Sequence, residues 1–213
     1  VYNHVSSAAN SNFTKIMPKY YFRYDKNWNY MAGSGCANEV RTEAPMMSKF
    51  IVDSVLWWAT EYKIKGFRFD LMGLIDTVTM AKVKDSLYAL DPDIVVWGEG
   101  WDGFGGYNGH EDTHGTYTWN VFNELYPSET SPGHLAAFND AGRNNLRGGN
   151  DQGFGTNNPY PSWGFIAQGS GDVGSKASAI ASMMGGVYNW NEDNVATSTG
   201  ANPNQMVSYA SCH

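Results

Sequence analysis

The sequence is short of charge, of cysteine and of long apolar runs. Only 16% of its 213 residues are Asp, Glu, Lys or Arg, with a net charge of -7, and the few lysines and arginines are nowhere gathered into a run. That excludes a polyphosphate partner such as nucleic acid, which is held by clustered cations. No apolar stretch approaches 18 residues, so no membrane-spanning helix is expected. The two cysteines, Cys36 and Cys212, match no metal-ligand spacing and no disulfide framework; two free thiols are expected, and the compartment stays open. No G-x-G-x-x-G follows an expected strand, which argues against a nucleotide-binding fold of the Rossmann kind.

Apolar residues make up 42% of the chain, enough for a sizeable core, and aromatics reach 15%, with 8 Trp and 13 Tyr. Most of these rings belong in packing. The remainder suits a cleft, because rings stack on flat apolar faces such as those of sugars.

Local patterns give an alternating order. Residues 18–43 are rich in Tyr, Asn and Gly and read as a long loop. From about Ala44 to Tyr62, Met47, Phe50, Ile51, Val55 and Trp58 recur at helical spacing, with Thr42 as a candidate cap and Pro45 tolerated in the first turn. Gly66 to Asp70 reads as a strand. Asp76 caps a helix from about Thr77 to Ala89, whose face carries Met80, Val83, Leu87 and Leu90 and which Pro92 ends. "IVVWGE" is nearly all apolar, as in a parallel strand buried on both faces. Residues 100–132 and 148–171 are long Gly/Asn-rich loops, of a length that is functional or disordered in compact domains. "HLAAF" and "NQMVSYASCH" read as further strands, and a helix is expected from about Gly174 to Met184. Helix–strand alternation with crossovers of this length implies an α/β fold, a barrel or a doubly wound sheet.

Within "GFRFDLMG" an arginine and an aspartate interrupt an apolar segment. Residues two apart on a strand share a face, so Arg68 and Asp70 point one way, and Phe67 and Phe69 the other. Val95, Trp97 and Glu99 share a face of the next strand. Asp70 and Glu99 therefore stand at the last positions of two strands, the edge where parallel α/β folds bind ligands. Adjacent strands lie about 5 Å apart, close to the carboxyl separation of retaining glycosidases. Arg68 beside Asp70 favours an ionised nucleophile. Glu99, flanked by Trp97 and Trp101 with no adjacent base, suits a proton donor. The competing reading is a buried Arg68–Asp70 pair that serves only specificity of folding. His4 and His213 end two further apolar runs. Metal ligation by them has no supporting spacing.

Four segments in order, "VYNHV", "GFRFDLMG", "VVWGEGWD" and "VSYASCH", resemble the conserved motifs of the α-amylase family of glycoside hydrolases in their pullulanase-type, debranching form. "GCANEVRTEAPMMSKFIVDSVLWWATEY" and "AAFNDAGRNNLRGG" are similar to segments between those motifs. The resemblance implies a partial (β/α)8 TIM barrel, from roughly the end of strand 3 to the end of strand 7, with residues 1–213 as part of one catalytic domain cut at both ends. It implies Asp70 as nucleophile, Glu99 as general acid/base, and Tyr2, His4, Arg68, Trp101, Asp102 and His213 as substrate contacts. No cofactor is required; Asn3 matches a calcium ligand of many α-amylases, which the debranching branch often lacks. The family's transition-state-stabilising aspartate would follow His213. The implied partner is a branched α-glucan, cleaved at α-1,6 links. The alternatives are an α-1,4-acting amylase or neopullulanase-like enzyme and, from another class, a non-catalytic carbohydrate-binding relative.

Overall fold

The structure is a computed structural model that describes residues 2–100, 135–139, 143 and 205–209. The chain divides into two compact units, Val1–Ala136 and Ala137–His213. The expected helix at 174–184, the loop at 148–171 and all but the first residue of the loop at 100–132 lie outside the described residues.

The first unit opens with Tyr2–His4 and a short helix α1, Asn12–Ile16, capped by Ser11, whose hydroxyl accepts from the Phe13 amide. The expected loop at 18–43 carries no long element, but two antiparallel bridges organise it: Phe22 with Val40 and Tyr24 with Tyr30. Helix α2, Pro45–Tyr62, follows. Proline at its start costs no hydrogen bond, because the first helical N–H groups have no partner in the helix anyway. Lys63 ends it in the left-handed conformation, φ 55°. Its buried stripe is Met47, Ile51, Val55 and Ala59. Phe50 and Trp58, expected on that stripe, are exposed. Thr42 does not cap α2, because Ala44 stands at the cap position and Thr42 is used elsewhere (below).

Strand β1, Gly66–Phe69, leads into a 3₁₀ turn, Met72–Leu74, and helix α3, Thr77–Leu90. Asp76 caps α3 as expected, its Oδ1 accepting from the Thr79 amide at 2.9 Å. Met80, Val83 and Leu87 are fully buried, whereas Leu90, in the last turn, is exposed. Helices α2 and α3 pack against each other, and each large apolar side chain buried there contributes about 1.5–3 kcal/mol.

Strand β2, Val95–Gly98, pairs with β1 in parallel, Gly66 opposite Val95 and Phe69 opposite Gly98. The expectation of a strand buried on both faces fails at Val95, which is half exposed between buried Ile94 and Val96. The second parallel pair joins β3, Leu135–Phe138, to β4, Met206–Val207, with Ala137 opposite Met206 and Phe138 opposite Val207. Beside it, Arg143 donates to the Tyr209 hydroxyl at 2.8 Å. Helices alternating with parallel strands are the α/β arrangement read from the sequence.

Candidate active site

The register of β1 and β2 brings the two acidic strand ends level. The Phe69–Gly98 pair is the last of the ladder, and Asp70 and Glu99 are the next residue on each strand. The Glu99 amide donates to the Phe69 carbonyl at 3.2 Å, so the ladder runs on into the site. Alternation then places Arg68 and Asp70 on one face of β1 and Phe69 on the buried one.

Arg68 joins the two carboxylates. Its Nη1 donates to Asp70 Oδ1 at 3.2 Å and its Nη2 to Glu99 Oε1 at 2.6 Å. Because the guanidinium is a rigid fork, the two acceptor oxygens are held within roughly 8 Å of each other. The pair is not a buried one: the side chains of Arg68 and Asp70 are 30% and 31% exposed, and that of Glu99 11%. The expectation that Glu99 has no adjacent base is corrected here. A cation lies closer to Glu99 than to Asp70. The Trp97 ring leans back along the strand to within 3.3 Å of where a Gly66 side chain would start, toward the end of β1 remote from Asp70.

Glu99 has a second anchor. The Leu71 amide donates to Glu99 Oε2 at 2.8 Å, and the Gly73 amide to the Glu99 carbonyl at 2.9 Å. Leu71 has the left-handed backbone, φ 43° and ψ 48°. For a residue with a Cβ this costs roughly 1–3 kcal/mol and is found where surrounding structure enforces it. The turn 71–74 thus grips Glu99 by side chain and main chain. Gly98 permits the close approach: a Cβ there would lie 2.5 Å from the Phe69 carbonyl oxygen and 2.7 Å from Met72 Cβ.

On the other side of Asp70, fully buried Asn3 donates through Nδ2 to the Asp70 carbonyl, and its Oδ1 meets His4 Nδ1. With the Asn3 nitrogen committed to a carbonyl, its oxygen is the acceptor. His4 Nδ1 is therefore the donor in this pair. Both ends of the Asn3 amide have a protein partner, and among the described residues no group of three or more His, Cys, Asp or Glu side chains is placed to hold a metal ion. The calcium role of Asn3 rests on the resemblance alone, and no step is routed through that ion.

The structure therefore brings together Asn3, His4, Arg68, Asp70 and Glu99. It takes Tyr2 elsewhere. The Tyr2 hydroxyl bonds Ser54 Oγ on α2 at 2.7 Å, and its ring packs on Phe69, on the face of β1 away from Arg68. Trp101, Asp102 and His213 lie outside the described residues. Sequence reasoning missed Leu71 and Gly98. No residue type signals a left-handed Leu71, but the glycine directly before Glu99 was a cue to close packing.

No protein-family model matches the chain. Among curated proteins, the pullulanase of Bacillus subtilis is 42% identical over 102 residues, 48% of this chain and 14% of that protein. The pullulanase of Klebsiella pneumoniae is 30% identical over 188 residues, 86% of this chain and 15% of that one. Among solved structures, pullulanase from Paenibacillus barengoltzii in complex with maltohexaose and α-cyclodextrin superposes with a TM-score of 0.77 at 33% identity, covering 99% of this chain and 29% of its own. The chain thus spans about a seventh of those curated relatives. On ordered motifs, parallel strands and these likenesses together, the chain belongs to the pullulanase-type glycoside hydrolases.

Proposed function

We propose that the protein to which this chain contributes is a retaining glycosidase that hydrolyses α-1,6 branch linkages of α-glucans. The observation that carries the reading is the shared guanidinium, which holds two strand-end carboxylates, Asp70 and Glu99, within reach of one sugar ring. The relatives named pullulanase, one of them solved with maltohexaose and α-cyclodextrin, support the substrate class.

In this mechanism an Asp70 oxygen attacks the anomeric carbon. The glycosidic C–O bond breaks, its electron pair stays on the leaving oxygen, and that oxygen takes the proton of Glu99. Water then attacks the glycosyl ester, Glu99 recovers a proton from the water, and Asp70 leaves as carboxylate. Glu99 Oε2 is held by the Leu71 amide and Oε1 by Arg68, so a shift of Arg68 onto Asp70 as substrate enters leaves Oε1 to carry and deliver the proton. Contacts of this kind commonly tighten only once substrate is bound. His4 Nε2 hydrogen-bonds a sugar hydroxyl.

Product analysis on pullulan with the full-length protein tests the linkage. Maltotriose is the expected product, and panose would assign the α-1,4 chemistry instead. Glu99→Gln is expected to abolish turnover while substrate binding persists. Undiminished turnover in that variant would remove the catalytic assignment and leave a glucan-binding protein.

A further inference from the structure

We infer that Arg23, a buried residue remote in sequence from both carboxylates, is a positioning residue for Glu99. The inference rests on the proposed glycosidase reading and adds to it a residue that fixes where the acid/base stands.

Arg23 is 1% exposed and lies in the segment that reads from sequence as loop. Its Nη1 donates to the carbonyl of Leu74 at 3.0 Å, the last residue of the 3₁₀ turn. Its Nη2 donates to Thr42 Oγ1 at 3.0 Å and to Glu43 Oε2 at 2.8 Å, and its Nε reaches Glu43 Oε2 at 3.2 Å. Thr42 Oγ1 also accepts the Asp76 amide at 3.0 Å, two residues after Leu74. Arg23 and Thr42 therefore pin residues 74–76, the downstream end of the turn. The upstream end of the same turn is Leu71, whose amide holds Glu99 Oε2, and its middle is Gly73, whose amide holds the Glu99 carbonyl. Leu71 keeps an unfavourable backbone conformation, which persists only if its neighbours over-determine it. The guanidinium is what fixes the far end. Releasing it lets the turn relax and carries the Leu71 N–H away from Glu99. Arg23 touches no reacting atom, and its effect passes through the backbone of 71–74.

A purely structural role and a positioning role separate on the leaving group. Cleavage of pullulan needs the Glu99 proton. α-Maltotriosyl fluoride does not, because its C–F bond breaks with the electron pair leaving on fluoride. Since kcat/KM reports steps up to formation of the glycosyl-enzyme, a displaced acid harms pullulan and spares the fluoride.

The experiment uses the full-length protein carrying Arg23→Gln together with Glu43→Gln, which removes the cation and the partly enclosed carboxylate it hydrogen-bonds, while the buried Glu39 carboxylate keeps the Gly33 amide. A second variant, Thr42→Val, keeps side-chain shape and strands no charge. For the double variant, kcat/KM on pullulan is expected to fall about 10- to 100-fold, the scale of a 1 Å misplacement. KM should change little, and kcat/KM on the fluoride should fall less than about threefold. Thr42→Val is expected to show the same selective pattern at about threefold, and it decides alone if the double variant does not fold. An equal loss on both substrates, or no loss on either, in a folded variant overturns the inference. Glu99→Gln is run alongside. If it too affects both substrates equally, the glycosidase reading itself fails; if it spares only the fluoride while the Arg23 and Thr42 variants do not, only the positioning role is lost.

Discussion

Two arginines in the first unit each face two carboxylates, and they differ chiefly in solvent access. Arg68 binds Asp70 and Glu99 with about a third of its side chain open. Arg23 binds Glu43 at 2.8 Å and lies 3.7 Å from Glu39, with a side chain that is fully enclosed. An exposed ion pair is worth about 0–1 kcal/mol, because water competes for both charges. Breaking an enclosed pair by removing one partner costs roughly 3–5 kcal/mol, because a buried charge is left behind. The open cluster is thus cheap to rearrange when a ligand arrives, and the closed one is not. The same chemistry serves binding in one place and rigidity in the other, with burial deciding which.

The sharpest way to break this contrast is at Asp70. Asp70→Asn in the full-length protein is expected to lower turnover on pullulan by about 10⁴-fold, the scale of losing a nucleophile. Its melting temperature should stay near that of the parent, because the Asp70 side chain is part-exposed and water screens its contact with Arg68. Marked unfolding with residual activity would make the open cluster structural and erase the distinction.

The next largest effect compares the arginines directly. Arg23→Gln alone is expected to destabilise by about 3–5 kcal/mol, and Arg68→Gln by no more than about 1 kcal/mol. Denaturant midpoints on the two variants provide the measurement. Near-equal losses would mean that burial is not the controlling variable.

Half of that comparison was legible in the sequence and half was not. "GFRFD" and "VVWGE" announce strand-end carboxylates, because period-two alternation fixes which side chains share a face and a parallel register fixes which ends meet. The helices were legible for a related reason: Met47, Ile51 and Val55, and Met80, Val83 and Leu87, keep helical spacing. Phe50 and Trp58 mislead because spacing marks an apolar stripe about as wide as the residues available, while burial depends on what packs opposite. Arg68 as a bridge to Glu99 was not legible, since two strands give no sign of where a long flexible side chain ends. Arg23 was invisible for a further reason. Its partners Thr42, Glu43 and Leu74 are brought near by the loop 18–43, whose path is set by two bridges and not by any periodic pattern.

A smaller effect tests how rigid the frame of the open site is. Gly98→Ala would set a methyl 2.5 Å from the Phe69 carbonyl oxygen, a backbone atom that cannot turn away. Overpacking of this kind costs about 1–3 kcal/mol. Because Glu99 follows directly, pullulan turnover should fall together with stability, whereas Gly66→Ala, whose nearest neighbours are side-chain atoms at 3.3 Å, should be milder on both counts. Equal tolerance at the two glycines would show that the turn 71–74 yields easily.

The smallest effect reads the closed cluster through pH. Burial alone would raise the Glu43 carboxyl, but the charge and hydrogen bonds of Arg23, helped by Arg41, win and hold it below its ordinary value of 4.5. A carboxyl depressed in the folded state contributes stability that is complete above its unfolded value and is lost as pH falls through the folded one. The parent should therefore lose stability as pH drops below about 4.5, and Glu43→Gln, less stable at neutral pH, should lose less over the same interval. Asp25, held low by hydrogen bonds from Asn29 in a surface turn, titrates in both proteins and cancels in the difference. Melting temperatures of the pair between pH 6 and pH 3 check the sign. Curves that stay parallel through that window would show that the Arg23–Glu43 contact is no stronger in the native state than water at the same carboxyl, and the closed arginine would then resemble the open one.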